Sequence, residues 1–264
     1  MDLQLKGKTA FISGSTQGIG FATAKKLLQE EATVVINGRT QQRADKAAEE
    51  LKQQVPGAKV SGIAADFSKA GEIQNIFERL PSVDILINNV AIFEPKPFAE
   101  ISDEEWLRFY EINVLSGIRL SRYYFPQMIQ KNWGRIIFIS SESAINIPEE
   151  MIHYGMTKTA QLAVARGLAE LTKGTNVTVN AVLPGPTKSE GVAEFVNNLA
   201  KQQNKTSQET EIDFFKTARP TSIIQRFASP AEIANMIVYI SSPLSAATNG
   251  AAIRADGGVV KTII

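Results

Sequence analysis

Short runs of β-branched and aliphatic residues alternate along this chain with longer stretches in which apolar positions recur every three or four residues. The runs at 9–13 (TAFIS), 32–37 (ATVVIN), 59–64 (KVSGIA), 84–88 (DILIN), 134–140 (GRIIFIS), 177–182 (VTVNAV) and 251–255 (AAIRA) predict seven strands. Helical patterns fill the gaps. Strands that alternate with helices build βαβ units, so the pattern predicts an α/β fold with a parallel sheet and helices on both faces. Two helix starts carry their own signals: Ser102 with Glu105 reads as a capping box, and Ser229-Pro230 with Glu232 adds proline at the first helical position. The alternation lapses once, between Pro184 and Ser229, where no strand is recognisable and the stretch KQQNKTSQETE is polar. A long excursion between core elements is more often a lid or binding loop than a passive connection, so 188–228 is expected to serve a substrate.

Composition narrows the chemistry. At 264 residues and 44% hydrophobic content, the chain suffices for one α/β domain over 1–264. The 28 basic and 27 acidic side chains leave a formal charge of +1, which points to neither nucleic acid nor an anionic membrane as partner. No apolar stretch approaches 18 residues, and MDLQLKGKTAFIS lacks the sections of a signal peptide, so a soluble cytoplasmic protein is expected. Without cysteine there are no disulfides, thiol nucleophiles or thiolate metal sites. The only histidine, His153, makes a zinc centre or a Ser-His-Asp triad improbable, and no metal is expected. Hydroxyls, phenols, amines, carboxylates or a bound cofactor must do the work.

A cofactor is suggested by SGSTQGIG, which follows the first strand and leads into a helix expected to begin near Phe21. Gly14, Gly18 and Gly20 let the backbone amides of this turn, Ile19 among them, approach a pyrophosphate at a helix N-terminus. The end of the second strand selects the nucleotide, because a carboxylate there binds the ribose 2′-hydroxyl and repels a 2′-phosphate. Here it reads INGRT, with no carboxylate between Glu31 and Asp45. Arg39 offers a phosphate charge-assisted contacts, so NADP(H) is expected, with Ser15 and Thr40 as secondary hydroxyl donors.

The stretch HYGMTK places Tyr154 and Lys158 four residues apart, on one face of a helix. Ser141 lies thirteen residues before Tyr154 at the end of GRIIFISS, Asn88 ends the strand DILIN, and Asn113 sits in YEINVLSG. In this order SGSTQGIG resembles the TGxxxGxG turn, NNVA the NNAG segment, YGMTK the YxxxK motif and NAVLPGPT the PG motif of the short-chain dehydrogenase/reductase family. The resemblance covers essentially the whole chain. Ser13 stands where the family has threonine, and Val90-Ala91 where it has Ala-Gly.

The resemblance implies a single Rossmann-like doubly wound domain that transfers hydride between NADP(H) and a small carbonyl or secondary alcohol. It implies Tyr154 as acid/base, Lys158 as the cation that favours phenolate and holds the nicotinamide ribose, Ser141 as the group orienting the carbonyl, and Asn113 as the holder of a relay water. It also places Asn88 and Asp66 beside the cofactor, Asp66 at the adenine, with Pro184, Gly185 and Thr187 near the nicotinamide, and suggests a homo-oligomer, tetramer or dimer, partly through the apolar tail GGVVKTII. Two alternatives stay open: a 3-oxoacyl carrier-protein reductase, against which Asn132 stands where those enzymes often carry arginine, and a non-catalytic NADPH-binding regulator. In the excursion, Val192, Phe195, Leu199, Phe214, Phe215, Ile223 and Ile224 suit an apolar lid, whereas Lys188, Arg219 and Arg226 suit an acidic substrate. His153 is either structural or a substrate-side contact.

Overall fold

Seven strands form one parallel sheet in the order β3-β2-β1-β4-β5-β6-β7. The structure, a computed structural model, describes residues 2–263, except the Phe195 side chain. The strands are β1 (Thr9–Ile12), β2 (Thr33–Gly38), β3 (Lys59–Ala64), β4 (Ile85–Asn88), β5 (Gly134–Ile139), β6 (Val177–Pro184) and β7 (Ala252–Ala255). All seven expected strands form, each within a few residues of its sequence bounds.

The helices are α1 (Gly18–Gln29), α2 (Gln41–Gln54), α3 (Ile73–Arg79), α4 (Asp103–Tyr110), α5 (Ser116–Gln130), α6 (Ile152–Glu170), α7 (Glu190–Gln202), α8 (Ser207–Thr217) and α9 (Pro230–Ser241). A π-helical turn, Glu111–Leu115, joins α4 to α5. Both expected capping boxes form, at Ser102 and Ser229, and a third, Thr206 with Glu209, starts α8.

Alternation along the strands sorts the core into two layers. Ala10, Ile12, Ile85, Ile87, Ile137 and Ile139 pack toward α1 and α9 with Leu27 and Ile237, while Phe11, Leu86, Ile136 and Phe138 pack toward α5 and α6 with Leu120, Tyr124 and Ala165. Fully burying an aliphatic or aromatic side chain of this size stabilises by about 1.5–3 kcal/mol, and both faces of the sheet are apolar. That double burial makes the central strands read as continuous hydrophobic runs.

Strand order reverses between β1 and β4, so the loops that follow these two strands part to opposite sides and leave a crevice at the carboxyl edge of the sheet. The strandless excursion is helical. Helices α7 and α8 pair with each other, and Val196, Phe215 and Phe227 form a small core of their own with Val192 and Phe214 beside it. Among the described residues no helix is long and apolar enough to cross a membrane.

Candidate active site

The crevice is about 1060 Å³, above the ~300–1,000 Å³ of ordinary small-ligand sites, and runs from Arg39 at one end to Tyr154 and Phe214 at the other. Its floor is the glycine turn. Helix α1 begins at Gly18, three residues earlier than the sequence suggests, and its N-cap, Gln17, makes no side-chain cap. The first amides of the helix are therefore left for another acceptor. One has it already: Gly18 N donates to a Glu190 carboxylate oxygen at 2.8 Å. This carboxylate, from the start of α7, stands in for an anion and shows that the turn accepts one. Gly18 has φ +61°, a left-handed conformation that glycine adopts without strain.

The remaining residues of the turn divide by role. Gly14, Gly18 and Ile19 line the crevice, but Ser15 and Gly20 do not. Ser15 is fully buried; its hydroxyl donates to Ile12 O at 2.7 Å and accepts from Asn37 N at 3.0 Å, binding the turn to β2. Gly20 packs beneath the Asn89 side chain. Thr40 likewise is a helix cap, accepting from Arg43 N at 3.3 Å. The Ser15 hydroxyl is thus spent on backbone groups within the buried turn, whereas the exposed Thr40 accepts as a cap and keeps its own hydroxyl hydrogen to donate.

At the far end of the crevice, Arg39 is joined by Arg43, from the first turn of α2, which sequence reasoning missed. A cation at position 43 becomes visible only once α2 is known to start at Gln41 and turn its first residues toward β2. Asp66 also lines this end. Burial alone would raise its carboxyl, but hydrogen bonds from Ser68 and the charges of Lys69 and Arg39 hold it below the usual carboxylate range.

Asn88 is a correction. Its side chain is buried, donates to Ser121 Oγ at 3.3 Å and faces α5; the next residue, Asn89, lines the crevice instead. A one-residue change of face is what strand alternation imposes. Asn89 donates to Ser13 O and Gly14 O at 3.0 and 2.8 Å, and the Ser13 hydroxyl accepts from Asn89 N and Val90 N. Serine thus ties the two loops of the switch point together.

The opposite wall is built from the ends of β5 and β6 and the start of α6. Pro184, Gly185 and Thr187 line it, and a Cβ on Gly185 would lie 2.7 Å from the Asp256 carbonyl carbon, so only glycine fits. Ser141, Tyr154 and Lys158 also reach the cleft. Lys158 Nζ donates to Ile139 O at 2.8 Å and lies 5.5 Å from the centroid of the Tyr154 ring.

Burial reverses the expected charge relation of this pair. It pushes the Tyr154 phenol up to about 12, against the lowering effect of the Ser141 hydroxyl, and pushes the Lys158 ammonium down to about 7. Tyr154 is thus a protonated phenol at neutral pH, and burial weakens the Lys158 ammonium that would favour its phenolate.

Asn113 lies behind the wall and does not line the crevice. Its side chain donates to Ile92 O at 2.9 Å and to Thr157 Oγ1 at 3.0 Å, and accepts from Ile92 N at 2.8 Å. Thr157 in turn donates to Tyr154 O at 2.7 Å, so Asn113 braces the turn that carries Tyr154. Its own carbonyl, set in the π-helical turn, accepts from Gln161 Nε2 at 2.5 Å, and Gln161 Oε1 lies 3.5 Å from Lys158 Nζ. Gln161 therefore lies between the Asn113 carbonyl and Lys158. Three residues beyond Lys158, it sits on the same helix face, a signal that the sequence reading did not use.

His153 belongs to the core of the adjoining helices: 2% exposed, with its ring centroid 4.0 Å from Phe109 and 5.9 Å from Trp106. Burial lowers its pKa, and it does not line the crevice. The three cations of the excursion expected to suit an acidic substrate also have carboxylate partners. Lys188 pairs with Glu211 at 2.7 Å, Arg226 with Glu232 at 2.8 Å, and Arg219 with Glu142 at 2.8 Å and Glu150 at 3.2 Å. Of the apolar lid candidates, Val192, Leu199 and Phe214 line the crevice and Phe215 is buried beneath them. Ile223 and Ile224 are exposed and lie against Gly258 and Gly257, and the Phe195 side chain lies outside the described residues. In the tail, Val259 and Val260 are already buried within the chain, while Ile264 lies outside the described residues.

The depressed Lys158 has a measurable consequence for stability. Between its folded value of about 7 and the ordinary 10.5, the unfolded chain holds a proton that the folded chain lacks, so stability must rise with pH across this window. Urea unfolding of the cofactor-free protein at pH 7, 8 and 9 is expected to show a rise of up to about 1.4 kcal/mol per pH unit. Lys158→Met should remove it. An equal rise in both proteins would show that Lys158 keeps its charge when folded.

A family model described as short chain dehydrogenase matches residues 8–200. The chain is 51% identical over 263 residues to the uncharacterized oxidoreductase YvaG of Bacillus subtilis, with 100% of each chain covered. It is 30% identical over 263 residues to the 3-oxoacyl-[acyl-carrier-protein] reductase FabG of Aquifex aeolicus, covering 98% of this chain and 100% of that one. Among solved structures, L-sorbose reductase from Gluconobacter frateurii complexed with NADPH and L-sorbose matches with a TM-score of 0.93 at 29% identity, over 100% of both chains. Sheet order, switch-point crevice and anion-accepting turn are those of dinucleotide-binding α/β proteins. The chain belongs to the short-chain dehydrogenase/reductase family and is an oxidoreductase of that family.

Proposed function

We propose that this protein is an NADP(H)-dependent reductase that interconverts a small carbonyl compound and a secondary alcohol. The observation that carries this reading is a single crevice with a protonated phenol beside a buried lysine at one end and two arginines, Arg39 and Arg43, at the other. The residues present fit the dinucleotide. Arg39 and Arg43 would hold the 2′-phosphate, Asp66 would flank the adenine, the amides of Gly14, Gly18 and Ile19 would face the pyrophosphate, and Pro184, Gly185 and Thr187 would border the nicotinamide. Glu190 would yield its place on Gly18 N to the pyrophosphate. The cofactor supplies or accepts the hydride.

The chain's own residues supply the proton and the orientation. In reduction, the Tyr154 hydroxyl gives its proton to the carbonyl oxygen as hydride reaches the carbon, and Ser141 holds that oxygen by a hydrogen bond. A phenol held at about 12 is a proton donor over the whole neutral range. Lys158 takes its place between Tyr154 and the ribose, steadied by Ile139 O and Gln161, and Asn113 keeps the turn of α6 in register. Segment 188–228 closes over the substrate with Val192, Leu199 and Phe214 turned inward, which excludes water from the transfer. L-sorbose reductase, bound to NADPH in its solved structure, supports both the cofactor and the direction.

This reading includes a cytoplasmic homo-oligomer, tetramer or dimer, with Leu107 and Tyr110 of α4 exposed on the outer surface and free for a second copy. NADPH depletion measured against thioesters, diketones, aldehydes, ketoses and sugar lactones tests the activity. Turnover of at least one class is expected; tight NADPH binding with no turnover of any class would favour a cofactor-sensing regulator instead.

A further inference from the structure

The π-helical turn Glu111–Leu115 reaches both Tyr154 and Lys158, each through a second side chain of α6. On one side the Asn113 carboxamide donates to Thr157 Oγ1 at 3.0 Å, and Thr157 donates to Tyr154 O at 2.7 Å. On the other, the Asn113 carbonyl accepts from Gln161 Nε2 at 2.5 Å, and Gln161 Oε1 faces Lys158 Nζ at 3.5 Å. Gln161 is 2% exposed and does not line the crevice, so it meets Lys158 and not the substrate. The second oxygen on Lys158 Nζ, Ile139 O at 2.8 Å, comes from the end of β5.

The two neighbours restrict what can stand between them. A peptide carbonyl only accepts hydrogen bonds and an ammonium only donates them, so the group between must donate at one end and accept at the other. A carboxamide does both without carrying charge. Its orientation follows, because the reverse would set its N–H groups against the ammonium and its oxygen against the carbonyl. With Ile139 O and Gln161 Oε1 on two of its three N–H groups, the ammonium has one left for the crevice that Lys158 lines.

The charges around α6 are matched elsewhere. The turn after β5 brings Glu142 and the segment Glu149–Met151 brings Glu150, both paired with Arg219; the π-helical turn brings Glu111, paired with Arg119; and α4 brings Glu105, paired with Lys96. Tyr154, on the same helix as Lys158, is a neutral phenol. Burial is the cause that acts on Lys158, and an acceptor oxygen facing Nζ works against it by favouring the charged form.

We propose that Gln161 is a positioning residue: anchored on the Asn113 carbonyl, it aims the Lys158 ammonium at the crevice and favours its charged form, so that one turn of helix holds both Tyr154 and Lys158 in their working places. The inference deepens the reductase reading, on which the use made of Lys158 rests. No bond is made or broken on Gln161 itself.

The test reads the charge of Lys158 without turnover. Urea unfolding of the cofactor-free protein from about pH 5.5 to 9.5 is compared for the parent, Gln161→Met and Gln161→Glu, each against the same protein carrying Lys158→Met, so that the difference isolates Lys158. In the parent this difference begins to rise near the folded value of about 7. Loss of the amide oxygen lowers the folded value, so in Gln161→Met the rise is expected to begin about one pH unit lower; a carboxylate raises it, so in Gln161→Glu the rise should begin about one to two units higher. On a carbonyl that the parent reduces, Gln161→Met should lower kcat about 10-fold at neutral pH, the deficit narrowing as pH falls and Lys158 regains its proton. The same onset in all three proteins would overturn the inference, even if both variants were less stable, since a residue that only fills space lowers stability without moving the onset. If Gln161→Met does not fold, the opposite shift in Gln161→Glu decides. Turnover of no carbonyl by the parent, with NADPH bound, would overturn the reductase reading, while the onsets would still decide whether Gln161 governs Lys158.

Discussion

Tyr154→Phe is expected to lower kcat by about 10²–10⁴-fold on any carbonyl substrate while NADPH binds almost as before. The ring remains, so its edge-on contact with Phe93, at 6.4 Å between centroids, and its place on α6 survive. Only the proton donor is lost. Among the described residues the nearby acids are committed: Glu142 and Glu150 are paired with Arg219, and His153 is turned into the helix core. Stopped-flow measurement of NADPH oxidation, with fluorescence titration of NADPH binding in parallel, separates the two effects. A Phe variant that turns over at the parental rate would overturn the assignment of Tyr154.

The second large effect concerns nucleotide choice. Arg39→Ala and Arg43→Ala are each expected to reduce the ratio of NADPH to NADH affinity by about 10-fold, and together by about 100-fold. Both side chains are exposed, so solvent screening keeps each contribution near the lower end of the range for charge-assisted contacts. The absence of a carboxylate between Glu31 and Asp45 means that NADH affinity itself should change little. Titration of both nucleotides into the three variants tests this. An unchanged ratio in the double variant would place the 2′-phosphate elsewhere, or remove it from the recognition altogether.

Much of the architecture was legible because its signals are local. The seven strands lie in apolar runs buried on both faces, and the capping boxes at Ser102 and Ser229 are three-residue patterns. Tyr154 and Lys158 share a helix face by spacing alone. The site was less legible where a side chain's direction depends on a neighbour. Asn88 and Asn89 are adjacent and chemically identical, yet one points into the core and the other into the crevice. Ser15 has a donor hydroxyl, but Ile12 O beside it takes up that hydrogen.

The cations of the excursion show the same limit from the side of charge. Lys188, Arg219 and Arg226 looked available for an acidic substrate, and each has a carboxylate partner. The partner of Arg219 is 77 positions away, in a segment that approaches only because α8 ends over the wall built by β5. Glu190 on Gly18, 172 positions apart, is a further case.

The sequence by itself determined the type and order of the elements, the edge of the sheet at which ligands meet the chain and the residue types available for chemistry, because periodicity, capping and turn preferences act over a few residues. The tertiary structure decided which polar groups remain free. It spent the hydroxyl of Ser15, turned His153 inward, set Gln161 between Asn113 and Lys158 and paired Arg219 with Glu142, since hydrogen-bond partnership and desolvation depend on what folding brings within about 3 Å, whatever the separation along the chain.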